Sequence, residues 1–151
     1  MKAIFDTNVL LRYANPSDPA HTTVVQAVQI LPLVSIEPHL VPQNIYEFWV
    51  VGTRPTANNG LGLTTQECDQ TLAHVEAAFP FLPDKANLFT EWRKLVIAHD
   101  CKGKVAHDAR FVAAMRTYGI THIVTFNGAD FARYPGIVVL DPNAIVADQP
   151  N

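Results

Sequence analysis

The sequence contains few cysteines, and none of them forms a recognisable metal or redox motif. Only Cys68 and Cys101 are present, and neither belongs to a Cys-x-x-Cys pair or to a Cys/His cluster. A disulfide framework and a zinc site are therefore unsupported. Two isolated thiols are typical of reduced cysteines in a cytoplasmic protein, so we expect a cytoplasmic location.

The chain also lacks long apolar runs and an excess of positive charge. No stretch approaches the ~18 apolar residues of a membrane span, and Asp6 interrupts the first apolar run too early for a signal peptide. We therefore expect no membrane partner. The formal net charge of -3 argues against a broadly basic nucleic-acid-binding surface, but it permits a local basic rim.

What the chain does have is enough apolar sequence for one well-packed domain. Of its 151 residues, 48% are hydrophobic and 17% are charged, which excludes a disordered tail. No repeat, low-complexity segment or linker divides it. We expect a single domain that spans residues 1–151.

Short apolar, β-branched segments alternate with helical patterns along the chain. The predicted strands are 2–5, 39–41, 122–126 and 137–140, with a minor one at 81–82. The predicted helices begin near Thr7, Asp18, Pro42, Thr64, Asp84 and Lys104, and the Gly-, Pro- and Asn-rich segment 52–63 is predicted to be an exposed excursion. This alternation predicts a three-layer α/β/α sandwich with a central, mostly parallel sheet of four to five strands.

Two carboxylates lie just beyond predicted strands. Asp6 comes at the end of the first strand, and Asp130 lies four residues beyond Phe126, where a later strand ends. In an open parallel sheet, ligands bind beyond the carboxyl ends of the strands. Both side chains are therefore expected at the edge of the sheet where a ligand would bind.

Two further carboxylates lie on apolar helix faces. Asp108 shares its face with Val112 and Met115, and Glu47 lies among Phe48 and its apolar neighbours. An isolated charge is costly to bury, so a carboxylate in an apolar stripe needs partners. A divalent cation with oxygen ligands would satisfy all four groups, and Mg²⁺ or Mn²⁺ suits such a site. Such an ion can activate a water, so phosphodiester hydrolysis is the expected reaction class.

Each carboxylate also has an ordinary structural explanation. Asp6 could cap the following helix, Glu47 could form an ion pair at the rim, and Asp108 or Asp130 could serve in a cap or turn. A haloacid-dehalogenase-like phosphatase also begins with a strand-end Asp, but that family has a second Asp where this chain has Asn8. A non-catalytic interaction domain and a DNA nuclease are further alternatives.

Four segments in order resemble the motifs of PIN-domain nucleases. They are Phe5–Leu10 (FDTNVL), Glu47 in the helix after the second strand, Lys102–Ala109 (KGKVAHDA) and Thr125–Phe131 (TFNGADF). The size and the acidic pattern are similar to the VapC toxins of type II toxin–antitoxin systems. The resemblance implies a Mg²⁺- or Mn²⁺-dependent ribonuclease that acts through a metal-activated water, usually forms a homodimer and is inhibited by an antitoxin.

The resemblance also assigns roles to individual residues. It places the metal ligands and catalytic residues at Asp6, Glu47, Asp108 and Asp130. It places Thr125 and Asn127 behind these ligands or facing the substrate, and Asn127 could replace or supplement Asp130. Thr7 either orients a ligand or satisfies N–H groups of the next helix.

Candidate contact surfaces follow from sequence position alone. The basic residues near the acidic motifs, and hence the candidates for RNA binding, are Arg12, Lys102, Lys104, Arg110 and Arg133. Apolar residues of the helix at 42–51, especially Trp49, and the excursion at 52–63 provide candidate surface for self-association and for a smaller partner. Trp49 as an ordinary core residue is the equal alternative.

Overall fold

Short apolar segments form the central sheet, which a computed structural model of the chain describes for residues 1–149. The strands are β1 (Lys2–Phe5), β2 (Glu37–His39), β3 (His122–Val124) and β4 (Val138–Leu140). Their order is β2-β1-β3-β4, and every neighbouring pair is parallel. The predicted α/β architecture with a parallel sheet is confirmed.

Helices connect the strands and cover the sheet. They are α1 (Thr7–Tyr13), α2 (His21–Ile30), α3 (Pro42–Thr53), α4 (Thr65–Ala78), α5 (Leu88–Ala98), α6 (Val105–Thr117) and α7 (Pro142–Ala147). Pro42 occupies the first turn of α3, where its missing N–H costs nothing. Thr64 and Glu67 form the predicted capping box at the start of α4.

Residues of β1 alternate between two hydrophobic clusters. Ala3 and Phe5 belong to one cluster, and Ile4 belongs to the other. Because successive side chains of a strand point to opposite faces, each face of the sheet packs against its own cluster. The strand β1 is buried from Ala3 to Phe5. The backbone of Asp6, the next residue, is therefore fixed relative to the helices on both faces of the sheet.

Several predicted boundaries were wrong. The second strand begins at Glu37 rather than His39, and Leu40 pairs instead with Phe81 in an isolated bridge. The helix predicted from Asp18 begins at His21, because the Asp18 side chain accepts the Ala20 N–H within a turn. Local turn chemistry therefore moved the start of this helix.

Two more differences concern the middle of the chain. The helix predicted from Asp84 begins at Leu88, since Asp84 instead pairs with Arg110 at 2.9 Å. The excursion predicted at 52–63 begins later, because Gly52 and Thr53 belong to α3. Near the end of this excursion, the Leu61 N–H donates a hydrogen bond to the Val51 carbonyl of α3.

The structure shows the surroundings of Trp49, for which the sequence leaves two alternatives. This side chain is half-buried and packs against the Ala3 and Phe5 cluster, as an ordinary core residue does. The exposed apolar side chains of α3 are Tyr46, at 64% exposure, and Val50, at 56%. Among residues 1–149, no helix combines the length and apolar character that crossing a membrane requires.

Candidate functional site

The carboxylate of Asp6 lies directly beyond the end of β1. Its Oδ2 accepts hydrogen bonds from Thr125 Oγ1 at 2.7 Å and from Asn8 Nδ2 at 3.2 Å. No backbone N–H of α1 lies in hydrogen-bond geometry with it, although the amides of Thr7 and Asn8 lie close enough to favour the charge. Asp6 is therefore held by the side chains of Thr125, at the end of β3, and Asn8, in α1, rather than by a helix-capping bond.

Glu47 reaches the same region from α3. Its Oε1 accepts the Thr7 hydroxyl at 2.8 Å, and its Oε2 accepts the Gln43 amide at 3.2 Å. The same Gln43 nitrogen donates to the His107 carbonyl at 2.8 Å. Gln43, which is 5% exposed, therefore ties Glu47 to the beginning of α6.

Asn44 fixes α3 to the end of β1. Its side-chain nitrogen donates to the Phe5 carbonyl at 2.9 Å and to Thr7 Oγ1 at 3.2 Å. Its side-chain oxygen accepts the Val41 N–H at 2.9 Å. The residue is fully buried, and such fully bonded polar groups specify one geometry. Thr7 is therefore also fixed, and its hydroxyl is aimed at Glu47.

Sequence reasoning did not assign roles to Gln43 and Asn44. Nothing in a single polar residue shows that it is buried. The available signal is spacing, because Gln43 precedes Glu47 by four residues and so lies on the same helix face.

Asp108 and Asp130 complete the acidic group. Asp108 is half-buried in the first turn of α6, and Asp130 is exposed in a 3₁₀ turn formed by Gly128–Phe131. Burial, followed by the negative charges of Asp130, Asp6 and Glu47, raises the pKa of Asp108 to about 7, while Arg133 opposes the shift. Burial also raises the pKa of Asp6, against the Thr125 hydrogen bond.

All four predicted carboxylates line one cavity of about 890 Å³, which we name the acidic cleft. The remaining lining residues are Thr7, Asn8, Leu11, Gln43, Tyr46, Val50, Val51, Arg54, Lys104, His107, Arg110 and Asn127. Thr125 lies behind the cleft, where it is fully buried and bonds Asp6. Asn127 and Asp130 both face the cleft, so the structure brings both candidates for the fourth position to the site.

The predicted basic residues are only partly brought to the acidic cleft. Lys104 and Arg110 line it, and Arg133 lies near enough to affect the Asp108 carboxylate. Arg54 also lines it and was missed. It lies directly after the last residue of α3, in extended backbone, so helical spacing from Glu47 gives no signal for it.

Two of the predicted RNA contacts lie elsewhere. Arg12 pairs with Asp18 at 3.7 Å and covers the ring of Phe126 at 4.8 Å. Lys102 pairs with Asp100 at 3.4 Å and remains exposed. Neither belongs to the cleft lining, because closeness in sequence to an acidic motif does not fix the direction of a long side chain.

The donor groups of the acidic cleft suit a hydrated divalent cation. Within residues 1–149, no three Asp, Glu, His or Cys side chains are grouped closely enough to hold an ion by themselves. Mg²⁺, however, commonly keeps several waters and takes only one or two carboxylates. Beside Asp6, the buried Oδ1 of Asn8 has no hydrogen-bond partner. Carboxylates with a free amide oxygen form an all-oxygen donor set that fits Mg²⁺ or Mn²⁺.

Sequence comparisons reveal little about the chain. No protein-family model matches it. A 49-residue segment is 41% identical to the bifunctional protein HldE of Shewanella denitrificans. That match covers 32% of this chain and 10% of the length of HldE, so it carries no conclusion about fold or activity.

Solved structures resemble most of the chain. VapC20 of Mycobacterium tuberculosis, described as a sarcin-ricin loop cleaving toxin, matches with a TM-score of 0.68 and 19% identity over 90% of this chain and 96% of its own. A chain of VapBC2 from Rickettsia felis matches with a TM-score of 0.71 and 12% identity, covering 93% and 98%.

A chain of a toxin–antitoxin complex from Klebsiella pneumoniae matches with a TM-score of 0.63 and 19% identity. That alignment covers 93% of this chain and 97% of the other. Identities this low establish shared architecture only. This chain therefore has the fold of the VapC toxin structures, the PIN-type α/β fold that its sequence motifs predict.

Proposed function

We propose that this chain is a divalent-metal-dependent endoribonuclease and the toxin of a toxin–antitoxin pair. The observation that carries the proposal is the convergence of Asp6, Glu47, Asp108 and Asp130 on the acidic cleft at the carboxyl edge of a parallel sheet. They come from four separate segments, and burial and mutual repulsion oppose the charge of Asp108. Carboxylates whose ionised form is destabilised in this way are typical of functional sites.

The side chains have distinct roles in this proposal. Asp6 and Asp108 are the principal ligands of the ion, and Glu47 and Asp130 complete the set or hold a second ion. A bound Mg²⁺ or Mn²⁺ would polarise the phosphoryl group and lower the pKa of a water. Thr125 and Thr7 hold the carboxylates of Asp6 and Glu47 in place.

Phosphate binding requires positive charge at the rim. Arg54, Lys104 and Arg110 line the acidic cleft and would contact the phosphates on either side of the cleaved bond. Arg12 and Lys102 are engaged elsewhere, so we assign them no such role. RNA as substrate is supported by the shared fold with a toxin described as cleaving the sarcin-ricin loop.

Metal-dependent cleavage tests the proposal. Purified protein should cleave single-stranded RNA with Mn²⁺ or Mg²⁺, lose the activity in EDTA, and lose it in Asp6→Asn. Matched DNA and a phosphate monoester, assayed in parallel, distinguish a DNA nuclease or a phosphatase. A covalent aspartyl-phosphate at Asp6 would instead support the dehalogenase-like alternative, and RNA cleavage that persists in EDTA would contradict our proposal.

Association with itself and with an antitoxin forms part of the same proposal. Tyr46 and Val50 expose apolar area on α3, and both also line the acidic cleft. A partner covering them would therefore restrict access to the carboxylates. Light scattering should show a dimer, and a small protein should co-purify from the native cytoplasm. A monomer at high micromolar concentration with no bound partner would contradict this part.

A further inference from the structure

A second cavity, of about 380 Å³, opens between the first turns of α5 and α6. We name it the aromatic groove, and its lining consists of Leu88, Phe89, Trp92, Ala106, His107 and Arg110. Two of these residues, His107 and Arg110, also line the acidic cleft. The aromatic groove is therefore a lateral extension of the proposed nuclease site.

One aromatic wall of this groove is held in place by a hydrogen bond, and the other is open to solvent. Trp92 donates its indole N–H to the Ala106 carbonyl at 2.8 Å, which holds its ring against the start of α6. Phe89 is 64% exposed, and its ring lies 6.1 Å from that of Trp92 with the planes inclined by 32°. Core packing does not require a ring as exposed as that of Phe89.

Arg110 stands at the boundary between the two cavities. One guanidinium nitrogen donates to Asp84 at 2.9 Å, and another donates to Gln43 Oε1 at 3.4 Å. A guanidinium has five N–H donors, so others remain for a phosphate. The groove thus joins a mostly apolar, aromatic surface to a cation beside the carboxylates.

We propose that the aromatic groove receives one unpaired nucleobase of an RNA strand whose neighbouring phosphate lies in the acidic cleft, an inference that rests on the proposed function. Aromatic rings and Arg guanidinium planes are the surfaces on which proteins stack unpaired bases. Because all bases have a π-face, the groove selects single-stranded or loop RNA over duplex and discriminates weakly among bases. A protein partner would need about 1,000 Å² of contact, which this small cavity does not offer.

Cleavage kinetics provide the first test. Phe89→Ala should raise KM for a single-stranded RNA substrate by between about fivefold and a hundredfold and leave kcat within about twofold. Ile97→Ala is the matched control, since Ile97 is an equally exposed apolar residue of α5, at 74%, outside the groove. It should leave both constants unchanged. An abasic position next to the cleaved bond should reproduce the Phe89→Ala effect in the wild-type protein.

Fluorescence tests binding without relying on cleavage. Trp49 and Trp92 are the two tryptophans, so Trp49→Phe leaves Trp92 as the reporter. A short single-stranded RNA should quench its emission, whereas the corresponding duplex and the abasic oligonucleotide should not. Quenching by the duplex, or none by the single strand, would reject the groove as a base site.

The two proposals fail in different ways. Metal-dependent cleavage with an unchanged KM in Phe89→Ala rejects the base site and leaves the nuclease assignment intact. Quenching of Trp92 by single-stranded RNA, without cleavage under any metal condition, supports the base site and rejects the nuclease. A change in oligomeric state in Phe89→Ala, with RNA affinity unaltered, identifies the groove as a protein interface and overturns the inference.

Discussion

The helices α4 and α6 each carry a carboxylate in their first turn, and the fold affects the two charges in opposite ways. At the start of α4, Glu67 accepts the Thr64 N–H and Thr64 Oγ1 accepts the Glu67 N–H, both at 3.1 Å. These bonds lower the pKa of the exposed Glu67. At the start of α6, burial and three neighbouring carboxylates raise the pKa of Asp108 to about 7.

The difference shows which of the two positions serves the fold. A helix N-terminus stabilises a nearby negative charge by about 0.3–1 kcal/mol, and Glu67 has this benefit together with its cap bonds. Asp108 occupies the same kind of position, yet burial and repulsion outweigh the helix dipole. A residue that opposes local stability in this way is better explained by function.

The largest expected effect is on RNA cleavage, which should require Asp108 but not Glu67. Asp108→Asn removes a proposed ion ligand and should lower Mn²⁺-dependent RNA cleavage by about a thousandfold or more, comparable to removing a principal electrostatic group of an active site. Glu67→Gln lies outside the acidic cleft and should retain full activity. Equal activities of the two variants in a single-turnover assay would show that Asp108 has no part in the reaction.

A smaller effect is expected from the residue that ties α3 to the start of α6. Gln43→Ala removes the amide that bonds both Glu47 and the His107 carbonyl. Such partners of metal ligands are typically worth 10–100-fold in metal affinity or activity, and a lost hydrogen bond costs about 0.5–1.5 kcal/mol in stability. Metal titrations and thermal melts measure both.

The start of α4 offers a control for Gln43→Ala. Gln66 is an exposed residue in the first turn of that helix, outside the acidic cleft. Gln66→Ala should therefore change neither metal affinity nor melting temperature measurably. If Gln43→Ala binds Mn²⁺ as tightly as Gln66→Ala, then Gln43 does not position Glu47.

The pH dependence of stability in EDTA gives a third effect. The folded pKa of Asp108, about 7, lies above its ordinary value of 3.8. The folded state therefore binds more protons than the unfolded state between these limits, and stability falls as pH rises through them. At pH 8 the destabilisation by the Asp108 charge is complete. Asp108→Asn should therefore raise the free energy of unfolding by about 1–2 kcal/mol, a value reduced for solvent screening. Near pH 3 the substitution should change the free energy of unfolding little.

Metal should reverse this penalty in the wild-type protein. Mn²⁺ at a hundredfold excess over its dissociation constant should add about 2.7 kcal/mol to the free energy of unfolding, and Asp108→Asn should gain much less. Thermal melts in EDTA and in Mn²⁺ at both pH values provide the measurement. Equal stabilisation of both proteins by Mn²⁺ would exclude Asp108 as a ligand.

The sequence predicted the fold better than the boundaries of its elements. Apolar strand segments and the α4 capping box are local signals, and the structure confirms them. The start of α5 was mispredicted because Asp84 has the identity of a helix cap but bonds Arg110, which is distant in sequence. No local pattern reports such a contact.

The same limit applies to the candidate site. The four carboxylates stand out in the sequence because two lie beyond strand ends and two lie on apolar helix faces, and all four line the acidic cleft. Gln43 and Arg54 were missed because uncharged or surface-compatible residues do not stand out. The spacing of Gln43 from Glu47 places it on the same helix face, but that criterion becomes useful only after Glu47 is known to face a cleft. Arg54 lies beyond the end of α3, so it has no such signal.

The smallest expected effect concerns the cap of α4, and its pH dependence should have the opposite sign. The pKa of Glu67 is lowered in the folded state, so its contribution to stability is present above its ordinary pKa and is lost as pH falls through the folded value. Thr64→Ala removes the capping hydroxyl and should cost about 1 kcal/mol near pH 7. The cost should shrink below pH 4, while RNA cleavage and Mn²⁺ affinity stay unchanged. Urea unfolding from pH 3 to 8 measures this cost. A cost that grows toward low pH would show that Glu67 and Asp108 do not affect stability with opposite pH dependence.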